Sequence, residues 1–244
     1  QAADSVGVKN LFSELVSDPE KLLAWHTTFM VLTMFVVARG VKQGLEKAVR
    51  FLMPVLLILL LVLVGFAMNT GHFGDAIEFL FKPDFSKLTG GAILTAMGHA
   101  FFTLSLGMGA IMMYGSYLPE KTSITSTTIA ISLADTAVAL LAGLAIFPIV
   151  FSFPELTPGA GPGLIFQTLP LAFANMPAGQ FFGTLFFILI VVAAWTSSIS
   201  LIEPAVAWLI ENRGMTRVSA AVWSGIATWL VGIATVLSFS HWAF

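Results

Sequence analysis

Four hydroxyl side chains fall close together in the segment AAWTSSIS, at Thr196, Ser197, Ser198 and Ser200. A Thr or Ser in an apolar helix ordinarily bonds back to its own backbone, so each taken singly reads as structural. Clustered, they suit a hard cation. Sodium takes hydroxyl, carbonyl and carboxylate oxygens and has no preference for thiolate. A second oxygen-rich spot lies at Thr103 and Ser105, inside the string MGHAFFTLSLGMGAIMMYGSY from Met97 to Tyr117, where Gly107 and Gly109 interrupt an apolar run. Each Gly costs about 1 kcal/mol relative to Ala in a helix interior. Two readings compete for those glycines: close helix packing through small residues, or a helix broken at mid-membrane whose freed carbonyls and amides hold an ion and a substrate.

Asp135 sits in the apolar sequence IAISLADTAVALLAGLAIFP. At the centre of a membrane helix a carboxylate costs about 2.5–3.5 kcal/mol on the translocon scale, so a functional site is the default reading there. An Asp that is protonated or bonded to Thr136 is the alternative. Glu203, just before Pro204, fits a water-filled inner cavity and tells less. His99 precedes the glycines and could line an entrance or act as a proton site, with packing as the simpler role. His26, His72 and His241 show no ligand spacing, so zinc catalysis has little support. With no cysteine, disulfides, thiolate catalysis and Cys-ligated metals drop out.

These residues must be held by elements that live in lipid. The hydrophobic share is 57% and the charged share 10%, against about 45–50% and about 25% in soluble domains. Such a chain cannot cover a water-facing surface with polar groups. The net charge of −2 offers no broad basic face, which argues against nucleic acid as a partner. From Phe51 to Met68 no side chain is charged or polar, enough at about 1.5 Å per residue to cross most of a core about 30 Å thick. Similar stretches give six expected spans, at about 22–38, 51–68, 92–117, 124–151, 181–210 and 218–239. Residues 1–21 read as an external loop with a short amphipathic helix. Residues 152–180, with five prolines around the apolar string Leu164–Phe173, read as an external lid.

The loop after the first span carries Arg39, Lys42, Lys47 and Arg50 against Glu46 alone, which places it in the cytoplasm. Lys121, Arg213 and Arg217 agree, while Asp75, Glu78, Asp84 and Glu155 mark the opposite side. Both chain ends are then external. The opening Gln-Ala-Ala-Asp, with no initiator Met or signal peptide, reads as cut from something longer, with an odd number of spans upstream. Trp25, Trp242 and other edge aromatics read as interfacial anchors.

With FFTLSLGMG from Phe101, Tyr117, and TSSIS from Thr196 in view, the chain resembles the bacterial branch of the neurotransmitter:sodium symporter family. The likeness runs almost end to end. It implies an all-α integral membrane protein, here a six-span fragment of a LeuT-type inverted-repeat transporter with one discontinuous helix, in the plasma (bacterial inner) membrane. The implied activity is sodium-coupled symport of an amino acid or related small amine by alternating access. By resemblance Phe102 is the aromatic lid over substrate, and Ser105, Met108 and Ile111 line the substrate pocket on the family's unwound sixth helix. Thr103 is a ligand of the first sodium. The carbonyl of Ala193 and the hydroxyls of Thr196 and Ser197 match the second sodium site, and Ser197 and Leu201 also face substrate. Gly44 and Pro54 keep the family's Gly-X9-Pro spacing, associated with local unwinding that admits water to that sodium. Tyr117 and Glu211 resemble parts of the cytoplasmic gate.

The departures are informative too. Many relatives carry Asn where this chain has Asp135 as the remaining ligand of the first sodium, with Ala134 the other residue that an alignment can place there. His99 stands where Gln is frequent. An Asp at that ligand position implies two sodium ions without a chloride requirement, since the carboxylate supplies the fixed negative charge that chloride brings to other members. The family's first helix, which supplies ligands to both sodium sites and holds the substrate carboxylate, has no counterpart in this sequence. Two rival functions stand beside the transporter: an intramembrane enzyme using Asp135 and His99 with Ser197 or Ser105 as nucleophile, which lacks a recognisable motif, and an ion channel.

Overall fold

A computed structural model describes residues 5–40, 44, 46–153 and 161–239. Lys42, Pro154, Glu155, Pro158, His241 and Trp242, used above to argue topology, the lid and the anchors, lie outside the described residues. Among those residues the chain is helical, in the order α1 (Ser5–Ser17), α2 (Pro19–Ala38), α3 (Lys47–Ala67), α4 (Phe73–Phe81), α5 (Gly90–Thr103), α6 (Ala110–Ser116), α7 (Ile124–Phe151), α8 (Leu169–Ala174), α9 (Gly179–Arg213) and α10 (Arg217–Ser238).

The ends of these helices are written in short-range chemistry. Asp18 accepts from the amides of Glu20 and Lys21, both at 3.1 Å, and Pro19 opens α2 where its missing amide costs nothing. Thr89, Ser123 and Thr216 cap α5, α7 and α10 in the same way. Gly214 closes α9 in the left-handed region at φ 62°, as a residue without Cβ can.

Among the described residues five helices are long and apolar enough to cross a bilayer: α2, α3 with its short extension to Thr70, α7, α9 and α10. The string from Met97 to Tyr117 forms no such helix. It is shared between α5, of 14 residues, and α6, of 7, with a break between them. The broken helix is therefore what the glycines encode. Hydropathy did not single out α4, whose nine residues pack Phe79 against Phe147 and Phe151 of α7, with ring centroids 4.7 and 5.6 Å apart.

Two apolar clusters hold the helices together. One joins α3, α7, α8 and α9 through Leu63, Ile149, Leu169, Phe173 and Phe186, all nearly inaccessible. The other joins α2, α9 and α10 through Val37, Ile199, Val206, Ala220 and Ala221. Because α9 belongs to both, it is the axis on which the rest is arranged. Lipid tails give helices no hydrophobic reason to associate, so close approach through small residues matters. At Gly225 of α10 an added Cβ would come within 2.5 Å of Met34 Cγ on α2.

Candidate functional site

The break between α5 and α6 has a definite chemical construction. The amide of Ser105 donates to the Phe102 carbonyl at 3.0 Å and that of Leu106 to the Phe101 carbonyl at 2.8 Å. This is a Schellman termination of α5, whose left-handed position usually belongs to Gly. Here it is occupied by Ser105, at φ 55°. A side chain held in that region costs about 1–3 kcal/mol, and such strain concentrates at functional sites. Gly107 and Gly109, both at φ 80°, then turn the chain into α6. At the end of α5 the carbonyls of Ala100, Phe101 and Phe102 accept from the amides of Leu104, Leu106 and Ser105, so the break satisfies them locally.

Thr103, the last residue of α5, donates from Oγ1 to Asp135 Oδ1 on α7 at 2.9 Å. Asp135 is half-buried and its side chain meets the end of α5, whereas Ala134 is exposed. Thr136 instead donates to the Ser132 carbonyl. Phe102 is 73% exposed, and Met108, Ile111 and Leu201 are exposed as well, so the apolar face around the break is open.

On α9 the hydroxyls divide by direction. Thr196 Oγ1 lies 2.9 Å and Ser197 Oγ 3.0 Å from the Ala193 carbonyl, which accepts from both. Thr196 has a second acceptor in the Val192 carbonyl at 3.2 Å. Its proton can stay on Val192 while the Ala193 carbonyl and the hydroxyl lone pairs turn to a cation. Ser198 points elsewhere, sharing a 3.1 Å hydrogen bond with buried Thr33 of α2. Ser198 thereby ties helices together and stands apart from the Thr196 and Ser197 pair.

Gly44 and Pro54 flank the start of α3. Gly44 is buried where a Cβ would come within 2.1 Å of the Val36 carbonyl, so the turn from α2 into α3 requires a residue without one. Pro54 lies inside α3, which continues across it although the ring removes one hydrogen bond.

The inner end of the bundle departs from the sequence reading. Glu203 is fully buried rather than lining a watery cavity, and its carboxylate accepts three hydrogen bonds. Arg217 of α10 grips it in a fork, Nη1 to Oε1 at 2.7 Å and Nη2 to Oε2 at 2.6 Å, while Arg217 Nε donates to the Val37 carbonyl at 2.9 Å. Tyr117 Oη, from the end of α6, donates to Glu203 Oε1 at 2.8 Å. Glu211 lies exposed on the last turn of α9, outside this cluster. Segments from α6 and α10 thus meet on a residue of α9 that sequence reasoning set aside, with α2 joined through Arg217. No local pattern signalled it, since Glu203 stands well inside α9 and Arg217 opens α10.

A family model described as the sodium:neurotransmitter symporter family matches residues 12–241. The chain belongs to that family. An uncharacterized sodium-dependent transporter of Bacillus subtilis is 40% identical over 94% of this chain and 51% of its own length. A sodium-dependent nutrient amino acid transporter of Drosophila willistoni is 28% identical over 91% of this chain and 35% of its own. The crystal structure of MhsT in complex with L-phenylalanine superposes with a TM-score of 0.86 at 39% identity, over 98% of this chain and 54% of that one. The chain spans about half the length of the bacterial relatives it matches. Its fold is a portion of the LeuT-type architecture with one discontinuous helix, and it is a multi-pass membrane protein.

Proposed function

We propose that the protein to which this chain belongs is a sodium-coupled symporter that imports an amino acid with an apolar side chain by alternating access. Sodium is a co-substrate in this reading. One ion is held by the Ala193 carbonyl with Thr196 and Ser197, the other by Thr103 and Asp135, each set completed by groups outside this chain. The observation that carries the reading is the convergence of the Thr196 and Ser197 hydroxyls on the Ala193 carbonyl at 2.9 and 3.0 Å. Three oxygens on one turn of an apolar helix suit a hard monovalent cation.

The substrate pocket lies at the break, with Phe102 closing over it and Ser105, Met108, Ile111 and Leu201 lining it beside Ser197. Exposed apolar side chains there favour an apolar substrate, and Met adapts to varied shapes. That a relative is named for nutrient amino acids and another is solved with L-phenylalanine supports the same substrate class. Asp135 supplies the balancing negative charge, so chloride is not required. Tyr117 bound to Glu203 closes the cytoplasmic end, Glu211 adds to that gate from the surface, and Gly44 with Pro54 lets α3 open for sodium release. An intramembrane hydrolase would need its serine paired with a base, whereas the Ser197 hydroxyl is committed to its own helix.

The test is uptake of labelled phenylalanine or leucine by the full-length protein in proteoliposomes under an inward sodium gradient. Accumulation that saturates with substrate and vanishes when choline replaces sodium is expected. Sodium-independent uptake, non-saturating flux, or covalent turnover of the substrate would overturn the proposal.

A further inference from the structure

One hydroxyl of the α9 run is used neither by the cation reading nor by packing against α2. Ser200 Oγ donates to the Thr196 carbonyl at 3.0 Å and accepts from Tyr114 Oη at 2.7 Å. Tyr114 belongs to α6, the inner half of the broken helix. Two hydrogen bonds in series therefore run from α6 to the backbone of the residue whose own hydroxyl is a sodium ligand in the reading above. Tyr114 and Ser200 are both half-buried, where water competes less for the bonds.

The seven residues of α6 are too few to be stable as an isolated helix, so its position depends on what it touches. On α9 it has Tyr117 on Glu203 and the close contact at Gly109, where a Cβ would come within 3.3 Å of Pro204 Cβ. Tyr114 and Tyr117 are three apart on one face of α6, and Ser200 and Glu203 three apart on one face of α9. The two tyrosine ties are neighbours with different endings. Tyr117 ends on a buried charge at the inner end of the bundle. Tyr114 ends, through Ser200, on the turn that carries the cation hydroxyls.

We propose that Tyr114 is a positioning residue for sodium, holding the Thr196 turn in its cation-binding geometry through Ser200. With Tyr114 donating, a Ser200 lone pair is occupied and its proton is directed at the Thr196 carbonyl. Without it the Ser200 hydroxyl is free to rotate and the turn loosens. Linkage makes the effect reciprocal, so sodium on that turn also holds α6 against α9. The inner half-helix is thereby released when the ion leaves. This inference rests on the assignment of Thr196 and Ser197 to sodium.

The experiment compares Tyr114→Phe, Ser200→Ala and the double variant of the full-length transporter in proteoliposomes, with Thr196→Ala/Ser197→Ala alongside. Tyr114→Phe is expected to raise the half-saturating sodium concentration about two- to tenfold, the range for loss of one hydrogen bond. The substrate KM at saturating sodium and the amount of folded protein should be unchanged, which a merely structural role would not produce. Ser200→Ala should give a similar shift, and the double variant no more than the larger single, because both remove one interaction. Should Tyr114→Phe fail to fold, Ser200→Ala, which deletes a single oxygen, carries the test alone. Unaltered sodium dependence in these variants, or additive shifts in the double, overturns the inference. If Thr196→Ala/Ser197→Ala still shifts sodium dependence, the sodium assignment survives that failure; if it does not, the assignment itself falls.

Discussion

Thr103 and Asp135 are joined by a 2.9 Å hydrogen bond that ties the end of α5 to the middle of α7. Thr103 donates, which is the arrangement an ionised carboxylate accepts and a cation can then share. The bond connects Asp135 to the break in the helix, and every role proposed for that residue begins from the contact.

On the proposed reading the full-length protein is expected to transport in chloride-free medium, because two sodium ions in a low-dielectric site would need a nearby anion and Asp135 would provide it. Asp135→Asn should lose activity or come to depend on added chloride. Uptake measured against chloride concentration for both forms checks this. Strict chloride dependence in the wild type would place the balancing charge elsewhere.

Ser105 is strained where Gly would not be, so Ser105→Gly should stabilise the fold by about 1 kcal/mol while weakening substrate binding. Thermal unfolding of the full-length protein in one detergent, with substrate affinity measured beside it, reads both effects. A lower unfolding temperature would mean that the Ser105 side chain contributes more than its backbone conformation costs.

Arg217→Ala leaves Glu203 buried with only Tyr117 as a side-chain partner, and removing one member of a buried pair costs about 3–5 kcal/mol. Replacing Glu203 and Arg217 together with Leu should cost less than Arg217→Ala alone. The same unfolding measurement distinguishes the cases, and an unchanged midpoint in Arg217→Ala would show the pair to be energetically idle.

What could be read from the sequence follows the range of the interaction that encodes it. The hydroxyl pair at Thr196 and Ser197 and the glycines around Met108 are local patterns, and so were legible as an oxygen cluster and as one of two readings of a broken span. The break itself needed coordinates, since Ser105 taking the left-handed position is a matter of backbone angle. Thr103 meets Asp135 across 32 positions and Tyr117 meets Glu203 across 86, distances over which periodicity carries no information. The family resemblance supplied the first partnership in outline. The second stayed hidden, because a lone Glu beside a proline gives no sign that an Arg from α10 and a Tyr from α6 will enclose it. Helix α4 was missed for a different reason, since nine residues between charged neighbours are too short to register as an apolar stretch.

Sodium coupling through α9 is the claim on which the account stands. The most direct test is uptake by the full-length protein against sodium concentration, for the wild type and for Thr196→Ala/Ser197→Ala at matched amounts in the membrane. Loss of two oxygens directed at a cation should raise the half-saturating sodium concentration about tenfold or more. An identical sodium dependence in the two proteins would contradict the assignment of that turn to sodium.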